Sequence, residues 1–309
     1  MIDRIKYMNI ALTNRCNLTC KYCDIWKEAP KNDISPDLIG KLFKARVLDK
    51  NIDITLTGGE PFLHKDFLDI CKLISEKRLG SLKTVSTNGL LVDNILLFLD
   101  TFDSSFPEDF ALHISFDGAK NHERIRGIPA REVMSNIKLI KKSFPAIAIK
   151  LKFTITQINY NEILSSYGYS KRYGLGFKIK LVENAANYTN KINIPDKEFD
   201  DGIKKKVTKD LFIIYKELKN VNRKESLFIE NTIKFLHIGK RITPCRAPSE
   251  RIFIMPEGKV YSCIHFNPIG NLNTDSLDNI WNSKKAKYIR GDVARSGCNN
   301  CVSYHGSGL

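Results

Sequence analysis

The sequence predicts an α/β protein with a parallel sheet in its first part and a small cysteine-rich region at its end. Three observations lead to this. Six short runs rich in β-branched and aromatic residues each precede or follow an amphipathic stretch up to about residue 182, and strands that alternate with helices pair in parallel. The pattern changes after residue 183, and seven of the eight cysteines fall into two groups. Six such units suit a partial barrel or an open sheet, and both bind ligands at the carboxyl ends of their strands.

The elements follow from the spacing of apolar residues along the chain. The predicted strands are rich in Ile, Leu, Phe, Val and Thr and cover residues 7–12, 52–57, 82–86, 111–116, 147–155 and 178–182. The predicted helices between them carry apolar residues at helical spacing and cover residues 36–50, 65–78, 91–99, 131–142 and 159–173.

The second part of the chain has a different organisation. Residues 184–197 are rich in Asn and read as a connection, and two helical patterns follow at about 198–219 and 225–237. A hairpin is predicted from 251–255 and 259–263 around Pro256–Gly258, with a helix near 277–288. We therefore expect a barrel core at residues 1–183, a connecting helical segment at 184–240 and a cysteine-rich domain at 241–309.

Composition narrows the class of protein. The chain has 309 residues, and no run approaches the roughly 20 apolar residues that cross a bilayer. Its start has no signal-peptide pattern, so we expect a cytoplasmic protein with no membrane partner. The net charge is +15, but lysines alternate with acidic residues as on solvated helix faces, so nucleic acid is not favoured as a partner. Reduced thiols in the cytosol bind metals more often than each other.

The first cysteine group lies directly after the first predicted strand. Cys16, Cys20 and Cys23 form C-x3-C-x2-C, and the four-residue separation of the first two is poor geometry for a disulfide. Three thiolates on one loop can converge on one metal centre. On a four-iron cube they leave one iron open, which is typical of a reactive site rather than a structural one.

This loop resembles the signature of the radical S-adenosylmethionine (SAM) family, with Tyr22 as the aromatic residue before the last cysteine. Further motifs of that family follow successive predicted strands in the expected order: Gly58-Gly59-Glu60-Pro61, Ser86-Thr87-Asn88-Gly89 and Ser115-Phe116-Asp117-Gly118. Each motif alone reads as an ordinary turn or cap. Together with the three cysteines, the motifs are specific for this family.

The resemblance implies a partial (β/α)6 barrel that binds a 4Fe-4S cluster at Cys16, Cys20 and Cys23 and also binds SAM. It assigns Glu60 to the methionine amino group and Asp117 to the region of the ribose. The full set of SAM-binding residues expected is Tyr22, Gly58, Gly59, Glu60, Asn88, Ser115 and Asp117, with Thr154 and Thr156 as weaker candidates.

The second cysteine group consists of Cys245, Cys263, Cys298 and Cys301. Four thiolates can ligate one 4Fe-4S cluster or one tetrahedral zinc ion. Their arrangement, with Gly258 five residues before Cys263, resembles the cysteine-rich extension of radical SAM enzymes called SPASM, or twitch in its one-cluster form. Four cysteines imply the twitch form, with a fully ligated cluster suited to carry electrons. Cys71 remains, in the apolar pattern of a predicted helix, and is expected in the core.

The expected function is that of a radical SAM oxidoreductase acting on a small alcohol resembling a sugar or aminocyclitol. The alternative is a maturase of a ribosomally made peptide, and the non-enzyme alternative is a zinc-bearing nucleic-acid-binding module. A flavodoxin or ferredoxin would donate electrons. No proton acceptor is assigned, although five groups are placed where a pocket could include them: Asp117, His122, Arg126, Glu183 and His265.

Overall fold

One mixed sheet organises the structure, a computed structural model that describes residues 4–77, 81–183, 199–296, 298 and 301–302. Its nine strands lie in the order β6-β5-β4-β3-β2-β1-β7-β8-β9. Strands β1 to β7 pair in parallel, and β8 and β9 are antiparallel. The strands are β1 Ile5–Ala11, β2 Leu48–Thr57, β3 Leu82–Thr87, β4 Ala111–Ser115, β5 Ala148–Ile155, β6 Gly176–Leu181, β7 Arg251–Ile254, β8 Lys259–Tyr261 and β9 Gly270–Asn271.

The α-helices that cover the sheet and the C-terminal region are α1 Pro36–Leu42, α2 Phe67–Lys77, α3 Val92–Phe102, α4 His122–Arg126, α5 Ala130–Ser143, α6 Ile163–Arg172, α7 Asp201–Leu218, α8 Arg223–Ile238, α9 Ala247–Glu250, α10 Leu277–Asn282 and α11 Lys284–Ser296. The six predicted strand–helix units are thus confirmed, and the strands form an α/β partial barrel. In the described part of the chain, no helix is sufficiently long and apolar to span a bilayer.

The two faces of the sheet differ in chemistry. Alternate residues such as Ile54, Leu112 and Leu151 are fully buried and pack under the helices in the main core. The residues between them are polar or charged, for example Thr55 and His113. Because side chains alternate across a strand, the face turned away from the helices is a polar interior at whose carboxyl edge a ligand can lie.

Most predicted elements differ from the observed ones by a few residues at their ends, and two predicted helices differ more substantially. The helix predicted to reach residue 50 ends at Leu42, because Leu48 already pairs with Ile5 as the start of β2. The helix predicted near 277–288 is two helices. Ser283 between them is extended (ψ 154°), and its hydroxyl accepts a hydrogen bond from the amide of Ala286 at 3.2 Å, so it begins a new helix.

The predicted hairpin is present, but it is not separate from the barrel. Strand β7 pairs in parallel with β1 from Tyr7–Arg251 to Ile10–Ile254, so the sheet continues into the cysteine-rich region. The proposed boundary at residue 184 lies outside the described residues, as does the Asn-rich connection after it. Cys71 is buried on α2, as expected.

Candidate functional site

The three N-terminal cysteines lie on one loop at the carboxyl end of β1, as the sequence predicts. The amide of Cys23 donates to the carbonyl of Cys20 at 3.1 Å, which folds the loop back on itself. Burial raises the pKa of Cys16 to about 11 and that of Cys23 to about 12, and the nearby Cys20 raises both pKa values further. Buried thiolates this close together need a cation to balance them, and an iron-sulfur cluster supplies one.

A buried arginine connects this loop to the end of β4. The Arg126 guanidinium donates to Cys20 Sγ at 3.6 Å and, through Nε, to Asp117 Oδ2 at 2.7 Å. It also donates to the hydroxyl of Tyr22, which itself donates to Asp117 at 2.7 Å. Asp117 Oδ1 accepts from the amide of Thr154 at 2.9 Å. Asp117 is thus the centre of a network that joins the cysteine loop to β4 and β5.

Two glycines let the second motif touch the cysteine loop. Gly58 has φ +136°, and a Cβ there would lie 2.4 Å from the carbonyl oxygen of Thr13. A Cβ on Gly59 would lie 2.1 Å from the carbonyl oxygen of Arg15. The amide of Gly59 donates to Thr13 and that of Glu60 to Arg15, at 2.7 and 2.8 Å. The close approach that these glycines permit is therefore to the chain's own loop.

Glu60 is fully buried and joins two motifs. Its carboxylate accepts from the Thr87 hydroxyl at 2.8 Å, the Asn88 amide at 2.7 Å and the Phe62 amide at 3.3 Å. Burial raises the pKa of Glu60 to about 7, and these hydrogen bonds oppose the rise. The side chain of Asn88 donates to Asn17 in the cysteine loop at 2.7 Å. Three of about four acceptor positions of Glu60 are therefore used within the protein.

The remaining candidates for SAM lie at the ends of adjacent strands. Ser115 is half-buried at the end of β4, and Thr154 and Thr156 are buried at and just after the end of β5. The hydroxyl of Thr156 donates to Asn159 at 3.0 Å. The structure thus places all of the sequence-predicted SAM residues along one edge of the sheet, beside the three cysteines. Their individual contacts with SAM stay predictions.

The four C-terminal cysteines come from three segments. Cys245 precedes α9, Cys263 follows β8, and Cys298 and Cys301 follow α11. Burial raises the pKa of Cys263 to about 12, and the other three thiols each raise it further, so all three lie within electrostatic range of Cys263. The guanidinium of Arg241 donates to the Cys301 carbonyl at 2.9 Å and to its Sγ at 3.9 Å. Four converging thiols fit a fully ligated cluster.

The five groups considered as proton acceptors separate into two clusters. Asp117 and Arg126 form the buried ion pair, and the ring of His122 accepts from the Asp117 amide at 3.0 Å through Nδ1. Burial lowers the pKa of His122 to about 4, so its ring is neutral at pH 7. Glu183 and His265 lie with Cys301 in a group whose potential ligand atoms are all within 4.8 Å of one another.

Sequence reasoning missed the roles of three side chains. Arg126 and Arg241 each donate to a cysteine sulfur, and Glu162 accepts the amides of Lys120 and Asn121 at 2.8 and 3.0 Å, which fixes the loop after β4. Each bond that identifies them spans at least 41 residues in sequence, so no local pattern could have found them.

Comparisons with known proteins agree with this geometry. The model of the radical SAM superfamily matches residues 10–163, and that of SPASM, an iron-sulfur cluster-binding domain, matches residues 245–302. The probable GTP 3′,8-cyclase of Methanocaldococcus jannaschii is 34% identical over 93 residues, which is 29% of this chain and 31% of the relative. The GTP 3′,8-cyclase of Synechocystis sp. is 26% identical over 185 residues, 58% of this chain and 54% of the relative. The match thus spans about a third of the first of these relatives and about half of the second.

Solved structures share the fold. A complex titled "Native anSMEcpe with bound AdoMet and Cp18Cys peptide" matches with a TM-score of 0.67 at 20% identity, over 91% of this chain and 81% of the other. SuiB of Streptococcus suis bound to S-adenosylmethionine matches with a TM-score of 0.69 at 14% identity, over 93% and 68%.

The donor sets fit the cofactors that these domains imply, which are SAM and two 4Fe-4S clusters. Three thiols, of which that of Cys20 is buried, share one loop beside a cationic guanidinium, and in the SPASM region three thiols lie within electrostatic range of Cys263. In neither set could the cysteines be stable as thiolates without a bound cation to balance their negative charge. The chain belongs to the radical SAM superfamily and carries a SPASM/twitch-type iron-sulfur domain.

Proposed function

We propose that this protein is a radical SAM oxidoreductase that removes one hydrogen atom from a carbon of a small alcohol. The substrate radical then loses a proton to solvent and one electron to the second cluster, which gives a ketone. When bound, the first cluster supplies the electron that cleaves SAM into methionine and a 5′-deoxyadenosyl radical. The observation that supports an oxidation is the convergence of four thiols at the second site. A complete ligand set leaves no iron for substrate, which suits electron transfer.

The protein's own residues hold the reacting groups in place. The Asp117–Arg126 pair fixes the cysteine loop against the ends of β4 and β5, and the amides of Gly59 and Glu60, which donate to the carbonyls of Thr13 and Arg15, fix it against the end of β2. Arg126 donates to Cys20 Sγ and stabilises its thiolate form. Ser115, Asn88 and Tyr22 lie around the edge where we place SAM. This rigidity holds the substrate C–H bond close to the site of radical formation.

The substrate is the part of the proposal on which the relatives differ. The curated relatives are GTP 3′,8-cyclases, whose name gives a small-molecule substrate, and this favours a small molecule here. Two solved structures of the same fold hold peptides, but at 20% and 14% identity they support the fold alone. A small sugar-like or aminocyclitol-like alcohol is therefore the first candidate, and a peptide substrate the alternative.

A product-deuteration assay tests the function. The anaerobically reconstituted enzyme is incubated with SAM, a reductant and candidate alcohols carrying deuterium on carbon. We expect deuterium in 5′-deoxyadenosine and a ketone product in equal amounts. Deuterium transfer without an oxidised product would contradict the proposed oxidation of the alcohol. Zinc in place of iron in the purified protein would contradict the whole proposal.

A further inference from the structure

Two neighbouring strands carry four lysines on one face of the sheet. Lys150 and Lys152 lie on β5, and Lys178 and Lys180 lie on β6. In the parallel register Lys152 is opposite Lys178, and Thr154 is opposite Lys180. Because residues two apart share a face, all four ammonium groups project on the same side.

That side is the polar interior of the partial barrel. The intervening residues Leu151, Phe153 and Ile179 are buried in the main core, so the lysines project to the opposite face, where Glu225 at the start of α8 also lies. All four lysines are only half-exposed. His113 on β4 is opposite Lys150, and its ring is on the same face. Burial lowers the pKa of His113 well below its usual value, and Lys178 lowers it further.

The positive charges here have little internal compensation. Neither strand contributes an acidic residue to this face. Glu225 of α8 lies 3.7 Å from the ammonium of Lys178, an ion pair whose two side chains are 8% and 17% exposed. In the described part of the chain, no hydrogen-bond acceptor or carboxylate lies within bonding distance of the ammonium groups of Lys152 and Lys180. Burial lowers the pKa of Lys152 to about 7, and Lys180 and Lys178 add to the effect.

Such an arrangement costs stability unless something balances it. A half-buried ammonium group beside like charges is unfavourable, and a chain of this size can place lysines elsewhere at no cost. Groups perturbed in this way concentrate at sites that bind ligands. An anionic ligand would neutralise these charges and receive their hydrogen bonds.

The lysines also lie beside the place where we expect SAM. Thr154, opposite Lys180, donates its amide to Asp117. Asp117 and Arg126 are near enough to Lys152 to influence its pKa in opposite directions. A ligand bound to Lys152 and Lys180 would therefore adjoin the SAM candidates at the carboxyl edge of β4 and β5.

We propose that Lys152 and Lys180 bind a carboxylate or phosphate group of the substrate, so that the substrate is a small anionic molecule and not a cationic amino sugar. That the bound anion is the substrate rests on the proposed function, but the existence of the anion-binding site does not. The inference removes the aminocyclitol from the candidates and keeps acidic or phosphorylated sugars.

Four probes with one carbon skeleton test the proposal. Glucose 6-phosphate, gluconate, glucose and glucosamine carry a phosphate, a carboxylate, no charge and a positive charge. Their binding to the SAM-loaded holoenzyme is measured anaerobically by calorimetry for the unaltered protein, Lys152→Met, Lys180→Met and Lys142→Met. Lys142 is an exposed lysine on the outer helix α5 and serves as the matched control.

We expect saturable binding of at least one anion, about tenfold or more weaker in Lys152→Met and Lys180→Met, and unchanged in Lys142→Met. Phosphate and carboxylate are distinguished by which of the two anions binds more tightly. The proposal is overturned if neither anion binds, if the two lysine variants bind like the control, or if glucosamine binds as tightly as the anions.

Two further measurements separate this result from folding and from the proposed function. Without ligand, Lys152→Met and Lys180→Met should unfold at the same or a higher temperature than the unaltered protein, because each substitution removes a partly buried positive charge that lies beside like charges. A lower unfolding temperature would mean that the lysines support the fold and would contradict the proposal. Iron content and substrate-free SAM cleavage are measured on the same samples, so failure of the radical chemistry is read independently of anion binding.

Discussion

The two cysteine groups of this protein share one device and differ in how they are assembled. In each, a buried arginine donates to one sulfur, Arg126 to Cys20 and Arg241 to Cys301. The first group occupies eight residues of one loop. The second draws its thiols from Cys245, Cys263 and the end of the described chain. The comparison indicates that local sequence brings the cysteines of the first site together, whereas tertiary structure brings those of the second site together.

The two cysteine groups also differ in the structure that surrounds them. The first loop is held by Arg126 of α4 and Asp117, which both follow β4, and by the backbone of the second motif, so its environment is a buried polar network. The second group surrounds the hairpin that begins with β7. Because β7 is hydrogen-bonded to β1, the cysteine-rich region lies against the barrel. A change in one group should therefore leave the other intact.

Replacing Cys16, Cys20 and Cys23 together by Ala has the largest expected effect. The iron content should fall from about eight to about four per chain, because only the second 4Fe-4S site remains. SAM cleavage should disappear, as measured by 5′-deoxyadenosine formation under reducing conditions. Cleavage at the normal rate in this variant would break the assignment of the reactive site.

Replacing Cys298 and Cys301 by Ala tests the other half of the comparison. The iron content should also fall to about four per chain, since two of the four ligands are lost. SAM cleavage should persist, while the oxidised product disappears because the electron has no acceptor. A normal product yield would show that the second cluster is structural only.

Arg126→Met and Arg241→Met sharpen the comparison at the level of single sulfurs. Each variant should lower the reduction potential of its own cluster and leave that of the other unchanged, because a positive charge beside one thiolate is removed. Arg126→Met also leaves Asp117 buried without its partner, which costs about 3–5 kcal/mol of unfolding free energy. Electrochemical titration monitored by electron paramagnetic resonance measures both potentials, and equal shifts in the two clusters would contradict their independence.

Gly59→Ala tests the close packing that only the first region has. The added methyl group would meet the Arg15 carbonyl, so we expect a loss of about 1–3 kcal/mol of unfolding free energy and of iron from the first site alone. Gly40→Ala in α1 is the matched control, since its Cβ would have no atom within 4 Å. There we expect a gain of about 0.5–1 kcal/mol in chemical denaturation. A loss of similar size at both positions would contradict the packing argument.

Glu60→Gln probes the buried carboxyl of the second motif through the dependence of stability on pH. The folded protein holds a carboxyl whose pKa is about 7, against 4.5 ordinarily, so between these values the folded state binds more protons than the unfolded state. The unfolding free energy of the unaltered protein relative to Glu60→Gln should therefore fall as the pH rises from 4.5 to 7. Urea denaturation of both proteins at pH 5 and pH 8 measures this difference, and a rise with pH would show that Glu60 is stabilised as a carboxylate.

Much of the fold and of the first site was predictable from the sequence. The alternation of strands and helices, the three cysteines and the order of the motifs that begin at Gly58, Ser86 and Ser115 are local features. Each depends on residues a few positions apart, whose spacing the covalent chain imposes. Even the lysines at alternate positions in β5 and β6 are visible as a period of two.

The tertiary structure decided which of these local features meet. It placed β7 beside β1, turned the alternate lysines of two strands to one interior face, and brought Arg126 to Cys20 across 106 residues and Arg241 to Cys301 across 60. It also directed Glu60 toward Thr87 and Asn88. The physical reason is that these contacts depend on strand order, register and burial of the whole sheet, and no short stretch of sequence contains that information.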